Sequence, residues 1–255
     1  MSVFEFNQSP RITLVLLDIL TEYDTIPDLV NIDEFQSFKT EKRRLEHIST
    51  RIALAEGLSS WGLDPKMIHV VRDDKRAPSL RWIQGTFRSQ ELPGISLGHS
   101  HGKAVVALIE PGWWVGIDAE PEDRVIASNA FDQFCKGEEL KMIRERPEDA
   151  VRLWTSKEAV QKAMHLGMHL NPRDITFANE IPIVGESQEI SIGNQKIQLK
   201  NMLFQAYHVS VAWKPAETVQ LDAEELLIAE LAERIRDDEG NLKFQVGCKT
   251  VRGRI

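Results

Sequence analysis

The chain has 255 residues, of which 42% are hydrophobic and 27% are charged, a composition that excludes disordered and fibrous proteins. Its net charge of −8 argues against a general nucleic-acid binder, because neutralising phosphates requires a dense excess of Lys and Arg. With no run of about 20 apolar residues, no signal-peptide pattern and only two cysteines, it is expected to be cytoplasmic and to have no membrane partner.

In chain order, the first predicted elements are a buried strand and a long basic helix. Residues 11–19 are mainly apolar, which predicts a buried strand. Residues 38–60 place apolar side chains at helical spacing and include Lys39, Arg44 and Arg51 in a basic run. This run is either an ordinary solvated helix face or a surface for an anionic partner.

The middle of the chain predicts a hairpin followed by two helices. Two β-rich runs, at 103–109 and 113–119, flank a Glu-Pro-Gly turn. Residues 127–145 and 147–166 then have the apolar spacing of helices, and the second opens with a proline followed by two acidic residues.

The last third predicts strands and then an appended segment. Residues 181–192 and 195–213 contain short β-runs, with clean alternation towards the end. After Pro215, residues 222–239 predict an acidic amphipathic helix, and residues 240–255 form a basic tail.

This order of elements predicts an α+β fold built from two halves. We expect an N-terminal half at 1–112, a C-terminal half at 113–215 and an extension at 216–255. The residues themselves show no strict repeat, so a duplicated architecture is suspected only from the order of strands and helices.

Two carboxylates stand two positions apart in the run Gly-Ile-Asp-Ala-Glu. On an extended backbone, Asp118 and Glu120 point to the same face. Carboxylates held side by side repel one another, so the pair is either exposed and solvated or part of a site for a hard metal ion.

A second cluster lies in the predicted helix with the sequence Trp-Thr-Ser-Lys-Glu-Ala-Val-Gln-Lys. Helical spacing aligns Trp154, Glu158 and Lys162 in one row and places Lys157 on the neighbouring row. A Glu–Lys pair at this spacing is commonly a surface salt bridge. The Trp side chain instead favours a face that turns inward and carries the charged groups into a cleft.

A third cluster precedes the predicted hairpin. Ser96, His99 and Ser100 lie in a segment of small and polar residues, which predicts either a plain polar loop or a loop whose amides and imidazole approach an anion.

Together, these patterns resemble the 4′-phosphopantetheinyl transferase family. GIDAE followed by LWTSKEAVQK resembles its two-part signature, a hydrophobic-Gly-hydrophobic-Asp-x-Glu strand before a Trp-x-x-Lys-Glu-Ala-x-x-Lys helix. ISLGHSHGKAVVAL, RRLEHISTRIAL and FDQFCKGEEL resemble further segments, so the likeness covers roughly residues 38 to 215. The chain departs from the family at Gly98, where Ser or Thr is usual.

The resemblance implies an α+β fold of the surfactin type, in which two similar halves pack as a pseudo-dimer with the active site in the cleft between them. It also implies a monomeric enzyme that transfers the phosphopantetheine arm of coenzyme A to a serine of an apo acyl or peptidyl carrier protein. The reaction would require Mg²⁺ and release adenosine 3′,5′-bisphosphate.

The site residues that the resemblance implies fall into three groups. Mg²⁺ would be bound by Asp118, Glu120 and Glu158. Catalysis would involve Glu158, Lys162 and Lys157, with Glu158 accepting the serine proton. Coenzyme A would be held by Lys39, Arg44, Arg51, Ser96, His99, Ser100, Lys157 and Lys162.

Two other functions stay open at this point. One is a different Mg²⁺-dependent phosphotransferase or nucleotide hydrolase, although the sequence contains neither a P-loop nor a kinase signature. The other is a carrier-binding module that has lost catalysis, which the complete set of Asp118, Glu120, Glu158 and Lys162 argues against.

Overall fold

A computed structural model describes residues 1–6, 9–83, 90–177 and 181–216. This part of the chain is mixed helix and sheet, which confirms the α+β prediction. The helix predicted at 222–239 and the tail at 240–255 lie outside the described residues. None of the described helices is long and apolar enough to cross a membrane.

The first half of the chain builds one antiparallel sheet of four strands, in the spatial order β1-β2-β6-β5. Its elements are β1 (Ser2–Phe6), β2 (Ile12–Asp18), α1 (Ile32–Ser37), α2 (Glu41–Ser60), β3 (Ile68–Arg72), β4 (Pro78–Trp82), β5 (Gly94–Ser100) and β6 (Lys103–Ile109). Strands β3 and β4 form a separate two-stranded sheet.

The second half builds another antiparallel sheet of four strands, in the order β7-β10-β9-β8. Its elements are β7 (Trp113–Pro121), α3 (Gly137–Glu145), α4 (Ala150–Ala163), β8 (Ser187–Ile192), β9 (Gln195–Phe204) and β10 (Tyr207–Pro215). Short 3-10 helices occur at Pro65–Met67, Ser128–Gln133, Pro147–Asp149, Gly167–His169 and Pro172–Asp174.

The predicted strand at 11–19 and helix at 38–60 are confirmed by β2 and α2. Helix α2 begins after Thr40, whose side chain accepts a hydrogen bond from the Arg43 amide, as an N-cap does. The helix predicted at 127–145 is α-helical only over its second part, α3, because its first part forms a 3-10 helix.

The predicted hairpin of residues 103–119 is wrong, although both of its strands exist. Strand β6 already has β2 on one edge and β5 on the other, so neither edge is open to β7. The Glu-Pro-Gly turn therefore carries the chain out of the first sheet, and β7 pairs with β10 in the second.

The two sheets bury their inner faces in a common apolar core. Alternating residues supply it, including Ile12, Leu14 and Leu16 of β2 and Val115, Ile117 and Ala119 of β7. Each outer face is covered by a helix, since Val15 of β2 packs with Leu54 of α2 and Ala212 of β10 packs with Ala159 of α4.

Both sheets contain the same three-stranded unit. A strand is followed by the covering helix and then by a hairpin whose second strand returns between the first strand and its own partner. This order describes β2, α2, β5 and β6 in one sheet and β7, α4, β9 and β10 in the other.

The tips of the two hairpins contact each other reciprocally. Tyr207 Oη donates to the carbonyl oxygen of His101 at 2.7 Å, and Lys103 Nζ donates to Gln205 Oε1 at 3.2 Å. Lys103 and Tyr207 begin the second strand of their hairpins, and His101 and Gln205 open the tight turns before them. The two contacts therefore join equivalent positions.

Candidate active site

The candidate site lies where β5, at the edge of the first sheet, packs against β7, at the edge of the second. The amide of Ile117 donates to the hydroxyl of Ser96 at 3.1 Å across this seam. Ser96 is only 3% exposed. Its hydroxyl therefore joins the two sheets in this structure, and its predicted contact with coenzyme A stays a prediction.

Gly116 lets α4 pack directly on β7. A Cβ at this position would lie 1.9 Å from the carbonyl oxygen of Ala159 and 2.5 Å from the amide of Ala163, both backbone atoms that cannot rotate away. The glycine of the Gly-Ile-Asp-Ala-Glu run is therefore required by the close approach of helix and strand. This approach brings Glu158 and Lys162 beside the carboxylates of β7.

Asp118 and Lys162 form the centre of the site. Lys162 Nζ donates to Asp118 Oδ1 at 2.8 Å and to the carbonyl oxygen of Ile117 at 2.8 Å. The second oxygen, Asp118 Oδ2, is buried and has no hydrogen-bond partner in the described part of the chain. Burial raises the pKa of Asp118, and the Lys162 ammonium acts in the opposite direction.

Glu120 lies at the same seam and contacts side chains from both halves of the chain. Its Oε2 accepts from Ser100 Oγ at 2.6 Å and lies 2.9 Å from His101 Nδ1, while Oε1 pairs with Arg124. The structure therefore brings predicted residue Ser100 to Glu120. It adds His101 and Arg124, which sequence reasoning did not assign to the site.

Glu158 projects from α4 towards these groups and is half-buried. Burial raises the pKa of its carboxyl group, and the negative charges of Asp118 and Glu120 act in the same direction, whereas Lys162 opposes them. A carboxyl group with a raised pKa is a better proton acceptor once it is ionised.

The donor types at this seam suit a hard divalent cation. Carboxylate oxygens are the ligands that Mg²⁺ prefers, and Asp118 Oδ2 is a buried acceptor without a partner in the described residues. Within those residues, no group of three or more His, Cys, Asp or Glu side chains is close enough to hold a metal ion. The carboxylates are engaged instead with Lys162, Ser100, His101 and Arg124.

Residues 96–100, predicted as a loop, form the end of β5, and its His99 meets the basic helix α2. Arg43 Nη1 lies 2.6 Å from His99 Nε2, and Glu46 Oε2 lies 3.5 Å from His99 Nδ1. Burial lowers the pKa of His99, Glu46 opposes this effect, and Arg43 and Lys162 reinforce it. Arg43 belongs to the predicted basic run, but spacing alone did not show that it is the member facing His99.

Arg44 and Arg51 lie on a different face of α2, against α1. Arg51 is 2% exposed, and its Nη2 lies 3.7 Å from Glu34 Oε2. Burial, with Arg72 nearby, lowers the pKa of Arg51 to about 10. Arg44 pairs with Glu41 and lies over the Phe35 ring. The structure thus does not bring Arg51 to the carboxylates.

Lys39 is exposed in the short turn between α1 and α2, next to the N-cap of α2. Its ammonium lies in the connection before the basic helix, and no described contact ties it to the carboxylates. The structure leaves the predicted contact of Lys39 with coenzyme A as a hypothesis.

Lys157 lies in the protein interior and not at the seam, and its predicted roles in catalysis and coenzyme A binding stay predictions. Its side chain is 0% exposed, and Nζ donates to Glu139 Oε2 at 2.5 Å and to the carbonyl oxygens of Phe134 and Ile175 at 2.7 Å. A fourth acceptor, the Pro172 carbonyl, lies at 3.1 Å. The ammonium is saturated inside the protein, so it does not contact phosphate from this position.

A comparison with known protein families finds a match that includes residues of the seam. Residues 114–212 match the family model described as the 4'-phosphopantetheinyl transferase superfamily. The match includes β7, α4 and β10, and hence Asp118, Glu158 and Lys162. No curated protein matches the chain. Enzymes of this family transfer phosphopantetheine from coenzyme A to a carrier-protein serine. The match at residues 114–212 supports a transferase of the 4′-phosphopantetheinyl transferase type.

Proposed function

We propose that this chain transfers the 4′-phosphopantetheine arm of coenzyme A to a serine of an apo acyl or peptidyl carrier protein. The reaction depends on Mg²⁺ and releases adenosine 3′,5′-bisphosphate. The observation that carries the proposal is the pairing of Lys162 with Asp118 beside Glu158, within the segment that matches the family.

The nucleophile comes from the carrier, so the enzyme has to hold two phosphates and remove one proton. The serine oxygen attacks the phosphorus on the pantetheine side, and the bridging oxygen leaves with the adenosine bisphosphate. Glu158 accepts the serine proton, for which its raised pKa suits it. Lys162 stabilises charge that develops on the phosphate oxygens.

Asp118, Glu120 and Glu158 would hold Mg²⁺, which supplies charge neutralisation on the pyrophosphate when it is bound. The support for this assignment is the buried, unpartnered Oδ2 of Asp118 within the described residues and the mutual electrostatic effect of the three carboxylates. Arg124, Ser100 and His101, which now contact Glu120, would keep that side chain oriented at the seam.

Coenzyme A would lie along β5 towards α2. His99 and Ser100 would face its phosphates, and the exposed cations Lys39 and Arg43 would extend the positive surface at the helix start. Arg44 would act at the rim, since it is partly exposed beside Glu41. Gly98 removes the usual hydroxyl from this contact, and Ser100, two residues further along β5, would supply one.

We also propose that the two halves, 1–112 and 113–215, form a monomeric pseudo-dimer of the surfactin type. The common three-stranded unit of the two sheets supports this proposal, as do the reciprocal contacts between their hairpin tips. The proposed site takes His99 and Ser100 from one half and Asp118 and Glu158 from the other. Light scattering should give about 29 kDa for the active species, and a trimer that loses activity on dilution would contradict this arrangement.

The transfer is tested by intact-mass measurement of apo carrier proteins after incubation with the enzyme, coenzyme A and Mg²⁺. Fatty-acid, polyketide and nonribosomal-peptide carriers should be compared, because each of them presents a serine that could accept the arm. A mass gain equal to phosphopantetheine, lost with a Ser→Ala carrier, is expected. Coenzyme A consumption without a gain on any carrier would identify a hydrolase instead.

A further inference from the structure

Gly98 of β5 lies directly beside the Lys162 ammonium. A Cβ on Gly98 would be 3.2 Å from Lys162 Nζ and 3.1 Å from Val105 Cγ2, closer than such atoms ordinarily approach. The residue is within a regular strand paired with Val105, so its backbone could carry any side chain. Gly98 therefore matters because of the space that it leaves free, and not because of its backbone conformation.

The space beside Gly98 is taken up by the lysine. Lys162 Nζ is directed to Asp118 Oδ1 and to the Ile117 carbonyl, both at 2.8 Å. The ammonium is the flexible end of a long side chain, so a larger residue at 98 would displace it more easily than it would move the strand or α4. A Cβ at residue 98 would therefore press on both Val105 Cγ2 and Lys162 Nζ, and the lysine is the group with the freedom to move away.

We propose that Gly98 is a positioning residue that seats the Lys162 ammonium on Asp118 in the free enzyme, where the lysine competes with the divalent metal. This inference rests on the proposed function, because it assumes that Asp118 binds the metal. Lys162 neutralises the buried carboxylate before the metal arrives, and the metal binds Asp118 at the expense of this ion pair. Weakening the ion pair should therefore strengthen metal binding.

The test measures Mn²⁺ binding to the full chain without coenzyme A or carrier, from the paramagnetic resonance signal of free Mn²⁺ at pH 8. Lys162→Met should raise the affinity about tenfold or more, since it removes a unit charge some 3 Å from Asp118. Lys136→Met is the matched control, because it also removes an ammonium from an ion pair. Lys136 Nζ lies 2.6 Å from Asp174 Oδ1, and this pair is outside the site. The control should leave Mn²⁺ affinity unchanged.

The discriminating variants change no charge. Gly98→Ala should raise Mn²⁺ affinity about threefold by loosening the 2.8 Å ion pair. Gly98→Val, which has the shape of Thr but no hydroxyl to hold the amine, should raise it further. Both effects should vanish in a Lys162→Met background, because Gly98 acts only through the lysine.

Three results would overturn the inference. These are unchanged or weaker Mn²⁺ binding in Lys162→Met, unchanged binding in both Gly98 variants, and Gly98 effects that persist without Lys162. Failure of the proposed function is separately visible, because Asp118→Asn should abolish Mn²⁺ binding. If Asp118→Asn binds Mn²⁺ like the wild type, the metal assignment itself is wrong.

Discussion

Lys157 and Glu139 form an ion pair inside the second half of the protein, with 2.5 Å between Nζ and Oε2 and almost no exposure of either side chain. The pair joins α4, which carries Glu158 and Lys162, to α3. The other Glu139 oxygen accepts from the Phe177 amide at 3.2 Å. Burial lowers the pKa of Lys157, and Glu139 opposes this effect. The motif lysine adjacent to Glu158 thus anchors the helix that carries the site.

The first prediction follows from this anchoring role. Lys157→Met should lower the free energy of unfolding by about 3 to 5 kcal/mol, because it leaves Glu139 buried without its partner. Chemical denaturation checks the value. Lys136→Met, in an exposed pair with Asp174, is the control and should change stability far less. A stable Lys157→Met protein with a raised KM for coenzyme A would restore the phosphate contact predicted from the sequence.

The second prediction compares two arginines of helix α2. Arg43→Ala should raise the KM for coenzyme A more than it lowers kcat. Arg43, beside His99, would bind a phosphate far from the reacting atoms, and it would bind that phosphate equally strongly in the ground state and the transition state. Arg51→Ala should instead lower stability, since it removes a side chain that is 2% exposed together with its ion pair to Glu34. Steady-state kinetics and melting temperatures of both variants separate these effects. Equal KM changes in two stable variants would contradict the assignment of the faces.

The third prediction concerns acid stability. Burial lowers the pKa of His47 to about 4, and Arg51 adds to this effect, so the folded protein holds the imidazole neutral. Between pH 6.5 and 4 the unfolded chain binds the extra proton, so acidification through this window should cost up to about 1.4 kcal/mol per pH unit. Unfolding free energies measured across the window, in wild type and His47→Gln, check the slope. An equally steep slope in His47→Gln would assign it to other groups.

The fourth prediction concerns the packing of α4 on β7. Gly116→Ala should lower stability by several kcal/mol or prevent folding, because its Cβ would overlap the backbone of Ala159 and Ala163. Gly112→Ala is a useful contrast, since nothing lies within 4 Å of its Cβ and its cost comes only from a positive φ of 84°. Melting temperatures of the two variants rank these costs. A smaller loss at Gly116 would show that α4 can move away from the strand.

Local spacing predicts which of these groups lie side by side within one element. Asp118 and Glu120 share a strand face, and Glu158 and Lys162 share a helix face. That the strand and the helix contribute to one site was implied by the family resemblance, because spacing does not show which elements pack together. The partner of Lys157 could not be predicted in this way, because Glu139 reaches it only through the packing of α3 against α4. The resemblance of FDQFCKGEEL to a family helix indicated that this segment, which contains Glu139, is important, but it did not indicate what Glu139 does.

The wrong hairpin has a similar origin. Alternation at 103–109 and 113–119 predicted two strands correctly, but strand partners depend on which sheet edges remain open. Strand β6 is enclosed by β2 and β5, which come from distant parts of the sequence. The same limit applies to α2, whose basic spacing did not show which arginine would face β5.

The last prediction tests the carboxylate cluster directly. Asp118→Asn and Glu158→Gln should each lower carrier modification by about 10²-fold or more, the effect of losing a preorganised charge contact. Glu158→Gln should be at least as severe, because it removes a metal ligand and the proton acceptor together.

Burial and neighbouring charge raise the pKa of Glu158 in the folded protein. Ionisation of this carboxyl group therefore costs stability as the pH rises above the pKa that it has in the unfolded chain. Metal-free Glu158→Gln should therefore be more stable than the wild type at pH 8, and the difference should disappear in acid, where the wild-type carboxyl group is protonated. Activity against Mg²⁺ concentration, measured together with unfolding free energies at both pH values, checks each part. Near-native turnover with an unchanged metal requirement in Asp118→Asn would show that these side chains form only an internal salt bridge.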